Sequence, residues 1–108
     1  FMSPDDAAGF RLIEERVRRA WKDNTVVPCD HAEEMLDDRG IDIFDVRNVL
    51  FKGKIVERQQ EGECTRYVYR GKSIDGDALK CVVEIDEHDV IVIVTVFRPG
   101  TKGKKKSK

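Results

Sequence analysis

No apolar run in this chain is long enough to cross a bilayer. The longest, residues 90–94, is strand-sized, against the roughly 20 residues that a spanning helix needs. The opening Phe1-Met2-Ser3-Pro4-Asp5-Asp6 has no basic stretch followed by an apolar one, so no secretory signal is expected. Cysteine is scarce: Cys29, Cys64 and Cys81 are odd in number, widely spaced and without a C-x-x-C pair. That usage points to reduced thiols and a cytoplasmic location. The two histidines, His31 and His88, have no ligand partner four residues on, so neither a metal nor any other cofactor is expected. No glycine-rich run leads from a strand into a helix to cradle a phosphate, and Ser3, Ser73 and Ser107 lack a nucleophile-elbow context. These absences argue against metalloenzymes, P-loop proteins and serine or cysteine hydrolases.

Charge is abundant. Of 108 residues, 20 are Lys or Arg and 21 are Asp or Glu, while 40% are hydrophobic, enough for one packed core. The near-neutral sum hides an asymmetry. Arg98, Lys102, Lys104, Lys105, Lys106 and Lys108 lie in the last eleven positions, which leaves the preceding 97 residues a net charge of −7. Residues 100–108 read as a disordered basic tail, either a loose phosphate-binding arm or a solubilising extension.

Phe10, Ile13, Val17 and Trp21 recur at helical spacing and predict an amphipathic helix over 5–23, within an N-terminal segment 1–24. A short extended piece, Val26-Val27-Pro28-Cys29, follows. Asp30 and Glu33 read as a capping box opening a second helix, with Ala32, Met35 and Leu36 as its buried stripe and Gly40 as its left-handed stop. Asp42 caps a third helix, whose apolar face is Ile43, Val46, Val49 and Leu50 and which ends at Gly53.

Beyond Gly53 the period changes from 3.6 to 2. Strands are expected from Ile55, over 64–71, over 78–86 and over 90–97, with turns at Gly62, Asp75-Gly76 and residues 86–89. Alternation sets Arg66, Val68 and Arg70 against Thr65, Tyr67 and Tyr69, and Lys80, Val82 and Glu84 against Leu79, Cys81, Val83 and Ile85. Residues 90–97 are apolar on both faces, as in a central or helix-covered strand. The expectation is an α+β domain over 25–99, with the N-terminal helices packed on one face of a roughly four-stranded antiparallel sheet.

His31 falls in the first turn of its helix. The macrodipole there favours a neutral imidazole able to accept a proton, while Asp30, Glu33 and Glu34 act in the opposite sense. It is either an acid–base group or a local lock on the helix start. Arg39 is either a C-terminal helix charge or a clamp for an anion. Arg66, Arg70 and Lys80 form either a row of cations for a phosphate backbone, and hence RNA binding, or an ordinary solvated sheet face. Tyr67 and Tyr69 read as core rather than as base-stacking platforms.

The run His31-Ala32 with Arg39-Gly40-Ile41, then Asp45-Val46, Val49-Leu50, Gly53, Ile55 and Glu57, resembles a widespread bacterial family of small uncharacterised domains. Asp75-Gly76 with Leu79, and Val92-Ile93-Val94-Thr95-Val96-Phe97-Arg98-Pro99, extend the likeness over roughly residues 30–99. That family looks distantly related to the RelE and MqsR type toxins, which cut messenger RNA without a metal. The resemblance implies a RelE-like or barnase-like fold, two helices on a curved antiparallel sheet. It implies a metal-independent endoribonuclease toxin acting by 2′-hydroxyl attack, with RNA as substrate and a cognate antitoxin protein as partner. His31 or Glu57 would then serve as base or acid, and Arg39, Arg66 and Arg70 would offset the charge developing on phosphorus. Met35 stands where the family often has Arg, and Phe97 where it often has Tyr. The alternative is a non-catalytic binding module on the same scaffold, acting through protein or weak RNA contacts.

Overall fold

The computed structural model describes residues 4–62, 64–86, 88 and 90–99. The chain runs α1 (Pro4–Lys22), β1 (Val26–Pro28), α2 (Asp30–Arg39), α3 (Ile43–Lys52), β2 (Lys54–Glu61), β3 (Cys64–Lys72), β4 (Ala78–Ile85) and β5 (Ile91–Phe97). The tail expected over 100–108 lies outside the described residues.

The α+β class stands, and the sheet departs from expectation in one respect. It has five strands, ordered β1-β5-β4-β3-β2, and is mixed rather than purely antiparallel. Three residues of β1 pair in parallel with β5, Val26 opposite Ile91 and Pro28 opposite Ile93. A three-residue strand shows no alternation, and its partner lies at the far end of the chain, so no local signal reveals the pairing. The other contacts are the antiparallel meander that the short links require.

Local chemistry explains the helix ends, with one correction. Gly40 adopts the left-handed conformation that ends α2, at φ 63°. Asp42 caps α3: its Oδ1 accepts the Phe44 N–H at 2.8 Å, and Asp45 Oδ2 accepts the Asp42 N–H at 3.1 Å. At α2 the cap is Cys29, not Asp30, and no side chain caps it. The Cys29 N–H is instead committed to the Ile93 carbonyl, continuing the parallel ladder, and the helix opens one residue early with Asp30 already inside it.

The core lies between the helices and one face of the sheet. Val17, Val46, Val49, Leu50, Tyr69, Cys81, Val83, Ile93 and Val96 are fully buried in it. Each such aliphatic side chain contributes about 1.5–3 kcal/mol. Phe10, Val17 and Ala20 bring α1 into the same core, and Phe10 meets Tyr67 edge-on with centroids 6.3 Å apart. Glu14 is a buried carboxylate on α1. Its Oε2 accepts the Ile55 N–H at 2.9 Å, just where a register shift between Ile55 and Glu57 interrupts the β2–β3 ladder.

Two glycines let α3 end directly on β3. A Cβ on Gly53 would lie 2.5 Å from the carbonyl oxygens of both Val49 and Arg70. One on Gly71 would lie 3.2 Å from the Cα atoms of Val49 and Gly53. All the obstructing atoms just named belong to the backbone, so nothing flexible can yield. Gly53→Ala is therefore expected to destabilise the fold by about 1–3 kcal/mol. Gly9→Ala, in open space at an exposed position of α1, is expected to stabilise it by about 0.5–1 kcal/mol. Urea unfolding midpoints of the two variants would move in opposite directions.

The Tyr69 hydroxyl is buried without a hydrogen-bond partner among the described residues. Burial first, and then the charge of Glu14, hold its proton well above the ordinary tyrosine range, with Arg18 acting the other way. The unfolded chain releases this proton above pH about 10 while the native state retains it, so stability is present below that pH and falls above it. Tyr69→Phe should cost little at neutral pH and should remove this alkaline loss in melts run from pH 8 to 11. The part due to Cys81, whose thiol burial pushes up to about 12, should remain.

Candidate functional site: the open face of the sheet

Directly paired residues share a face, so the strand registers define the surface opposite the core. Three rows cross it. The first is Lys54, Arg70, Lys80 and Phe97; the second is Glu57, Val68, Val82 and Thr95; the third is Gln59, Arg66, Glu84 and Val92. Val68 and Val82 are 3% and 7% exposed yet stand outside the core cluster. They form an apolar floor beneath the longer polar side chains of the flanking rows.

One side of this floor is bounded by α2. β5 carries an extra residue where its register with β4 shifts between Val82 and Val83, and Thr95 rather than Val94 then lies opposite Val82. The carbonyls of Val94 and Val96 accept from α2 and the residue before it. Cys29 Sγ donates to Val94 at 3.6 Å, and Arg39 Nη1 donates to Val96 at 2.6 Å. Thr95 Oγ1 donates to Met35 Sδ at 3.0 Å. His31 precedes Met35 by four residues and so shares its flank of the helix, exposed at the margin of the floor. Arg98 Nη1 donates to the carbonyl of Arg39 at 2.8 Å, bringing a second guanidinium to the same corner. Thus α2 runs along the β5 edge as a wall, where the sequence suggested a helix lying on the core face with the others. Ala32 alone of its residues is fully buried.

The expected cation trio divides. Arg70 and Lys80 are paired neighbours in the first row, and Lys54 extends it. Arg66 lies in the third row, where its Nε sits 2.9 Å from Glu84 Oε2 and its charge is locally offset. Cationic character is therefore concentrated at one end of the face. Glu57 occupies the second row on the β2 margin, exposed, with Gln59 Nε2 donating to its Oε2 at 3.4 Å. His31 and Glu57 stand at opposite margins: Glu57 is on β2 and His31 is on α2 beyond β5, so the three strand spacings from β2 to β5, about 14 Å, lie between them. Arg39 is on the His31 side.

Lys54 was not among the residues singled out from sequence. Its signal is parity: it precedes Ile55, which faces the core, and the strand begins one residue earlier than the apolar pattern suggests. Cys81 is wholly buried in the core. Among the described residues no group of three or more His, Cys, Asp or Glu could hold a metal ion, and no helix is long and apolar enough to cross a membrane.

Residues 30–98 match a family described as Domain of unknown function (DUF4258). No curated protein and no solved structure matches the chain. The matched span begins at α2 and ends after β5. It contains the whole open face and leaves out α1 and β1.

The division of the cations predicts a measurable asymmetry. Were a single-stranded RNA to lie on this face, the slope of log affinity against log salt should fall by about 1.4 in an Arg70→Ala, Lys80→Ala double variant, at about 0.7 per phosphate contact. Arg66→Ala should leave the slope unchanged.

Proposed function

From membership of the DUF4258 family as the starting point, we propose that this chain, which belongs to it, is a metal-independent endoribonuclease of the RelE toxin type. The observation that carries this reading is a row of three cations on an open sheet face, with a carboxylate and an imidazole at opposite margins. A RelE-like arrangement agrees with the two helices α2 and α3 and the antiparallel meander that follows them.

Cleavage by 2′-hydroxyl attack is an in-line displacement, so base and acid must stand on opposite sides of phosphorus. Arg70 and Lys80 hold the scissile phosphate and offset the charge of the phosphorane. Glu57 takes the 2′-hydroxyl proton. The 2′-oxygen bonds to phosphorus as the bond to the 5′-oxygen breaks, and His31 supplies a proton to that leaving oxygen. The products are a 2′,3′-cyclic phosphate and a 5′-hydroxyl. Arg39 and Lys54 bind the flanking phosphates.

Such an enzyme acts on cytoplasmic RNA and is held in check by an antitoxin protein. Induced expression should arrest growth, with relief by the product of a neighbouring gene. Phe97 ends the cationic row in a ring with no proton to give, which favours a second reading: a module that binds RNA on this face without cutting it.

Cleavage of RNA in the presence of a chelator separates the two. The wild type should cut, leaving cyclic phosphate ends. Glu57→Gln and His31→Ala should each slow cutting by about 100-fold or more while RNA still binds. RNA that is bound and left intact by the wild type would give the face to the binding module. Full activity in His31→Ala would remove that residue from the mechanism.

A further inference from the structure

The opposite flank of α2 carries a second surface, independent of the RNA reading. There an open groove of about 590 Å³ runs between the end of α1, β1, α2 and the start of α3. Trp21, Val26, Leu36 and Ile43 form its floor, each only partly covered by the core against which it packs. Glu33, Asp37 and Asp42 stand exposed along its rim. Glu33 and Asp37 are four residues apart on one helical face, an arrangement in which like charges repel and weaken an isolated helix. None of the three carboxylates has a cationic partner among the described residues. An apolar floor with an uncompensated anionic rim is complementary to one kind of occupant. The net charge of −7 over the first 97 residues favours the same sign of partner.

We propose that this groove docks a basic amphipathic helix of a partner protein, with its Leu- or Ile-like side chains on the Trp21–Leu36 floor and its Lys or Arg side chains against Glu33 and Asp37. The wall between groove and sheet face is α2 itself, so the partner sits beside the phosphate row and leaves it open. A bound partner would also relieve the repulsion between Glu33 and Asp37.

Trp21 is the chain's only tryptophan and lies in the groove, so its emission reports occupancy directly. The probe is a tryptophan-free amphipathic helix of leucine and lysine, with its leucine–glutamate counterpart as control. The lysine peptide should shift Trp21 emission to the blue and saturate, and the glutamate peptide should not. A Glu33→Lys, Asp37→Lys double variant should weaken the lysine peptide at least tenfold, and Glu33→Gln with Asp37→Asn by a smaller factor. Glu15→Lys with Asp75→Lys makes the same change of charge at exposed positions outside the groove and should have little effect. Equal weakening by both charge-reversed variants would reduce the binding to general attraction and overturn the proposal. Tighter peptide binding after removal of residues 100–108 would assign the groove to the chain's own lysines. A wild-type dimer abolished by the Glu33 and Asp37 changes would assign it to a second copy. Either result also overturns the proposal.

Discussion

The backbone contact between the end of α3 and β3 governs the geometry on which everything else depends. Gly53 and Gly71 remove the two side chains that would hold these elements apart: a Cβ on Gly53 would collide with the Val49 and Arg70 carbonyl oxygens, and one on Gly71 would press on the Cα atoms of Val49 and Gly53. The residues flanking the glycines inherit that placement. Lys54 follows Gly53 and opens β2, while Arg70 precedes Gly71, and the register makes them a pair. Lys80 then lies opposite Arg70 on the next strand. A packing requirement on the core side thus aligns three cations on the other side of the sheet, where three lysine or arginine residues would otherwise have no reason to converge.

The electrostatic character of the molecule is partitioned by one short helix. Toward the sheet face α2 turns His31, Met35 and Arg39, with Arg39 fixed to the edge of β5. Toward the groove it turns Glu33 and Asp37. The extra residue in β5 makes this possible: it shifts the strand so that carbonyls of its second half meet donors from α2, where β1 is too short to continue the ladder. An edge strand left open at that point would invite pairing with another chain, and α2 covers it instead. A chain with an acidic body can therefore still present a local cationic surface.

Much of this was legible in the amino-acid order. Alternation separated Arg66, Val68 and Arg70 from Tyr67 and Tyr69, and burial of Tyr69 against the exposure of Arg70 agrees with it. Gly40, Asp42 and Gly53 marked helix boundaries because each has a local chemical role there. What escaped is non-local. β1 has too few residues to carry a period, and its partner is found only in the folded chain. Asp30 has the residue type of a cap, but a hydrogen bond from Cys29 to β5 sets the helix start. Arg66 and Arg70 look equivalent in sequence, and only the strand pairing reveals that Glu84 faces one of them and Lys80 the other. The apolar groove draws its floor from four elements, a convergence that no single stretch of sequence encodes.

The claim at the centre of this account is that the phosphate of an RNA strand rests on the Arg70–Lys80 row, between Glu57 and His31. Its most direct test is backbone amide shift mapping with a short RNA whose 2′-hydroxyl is removed at one position, so that it binds and is not cut there. The largest shifts should fall along residues 66–70 and 80–84 and at the margins near Glu57 and His31, with the amides around Trp21 undisturbed. Shifts confined to α1 and the groove beside it, or scattered without relation to the cationic row, would contradict it.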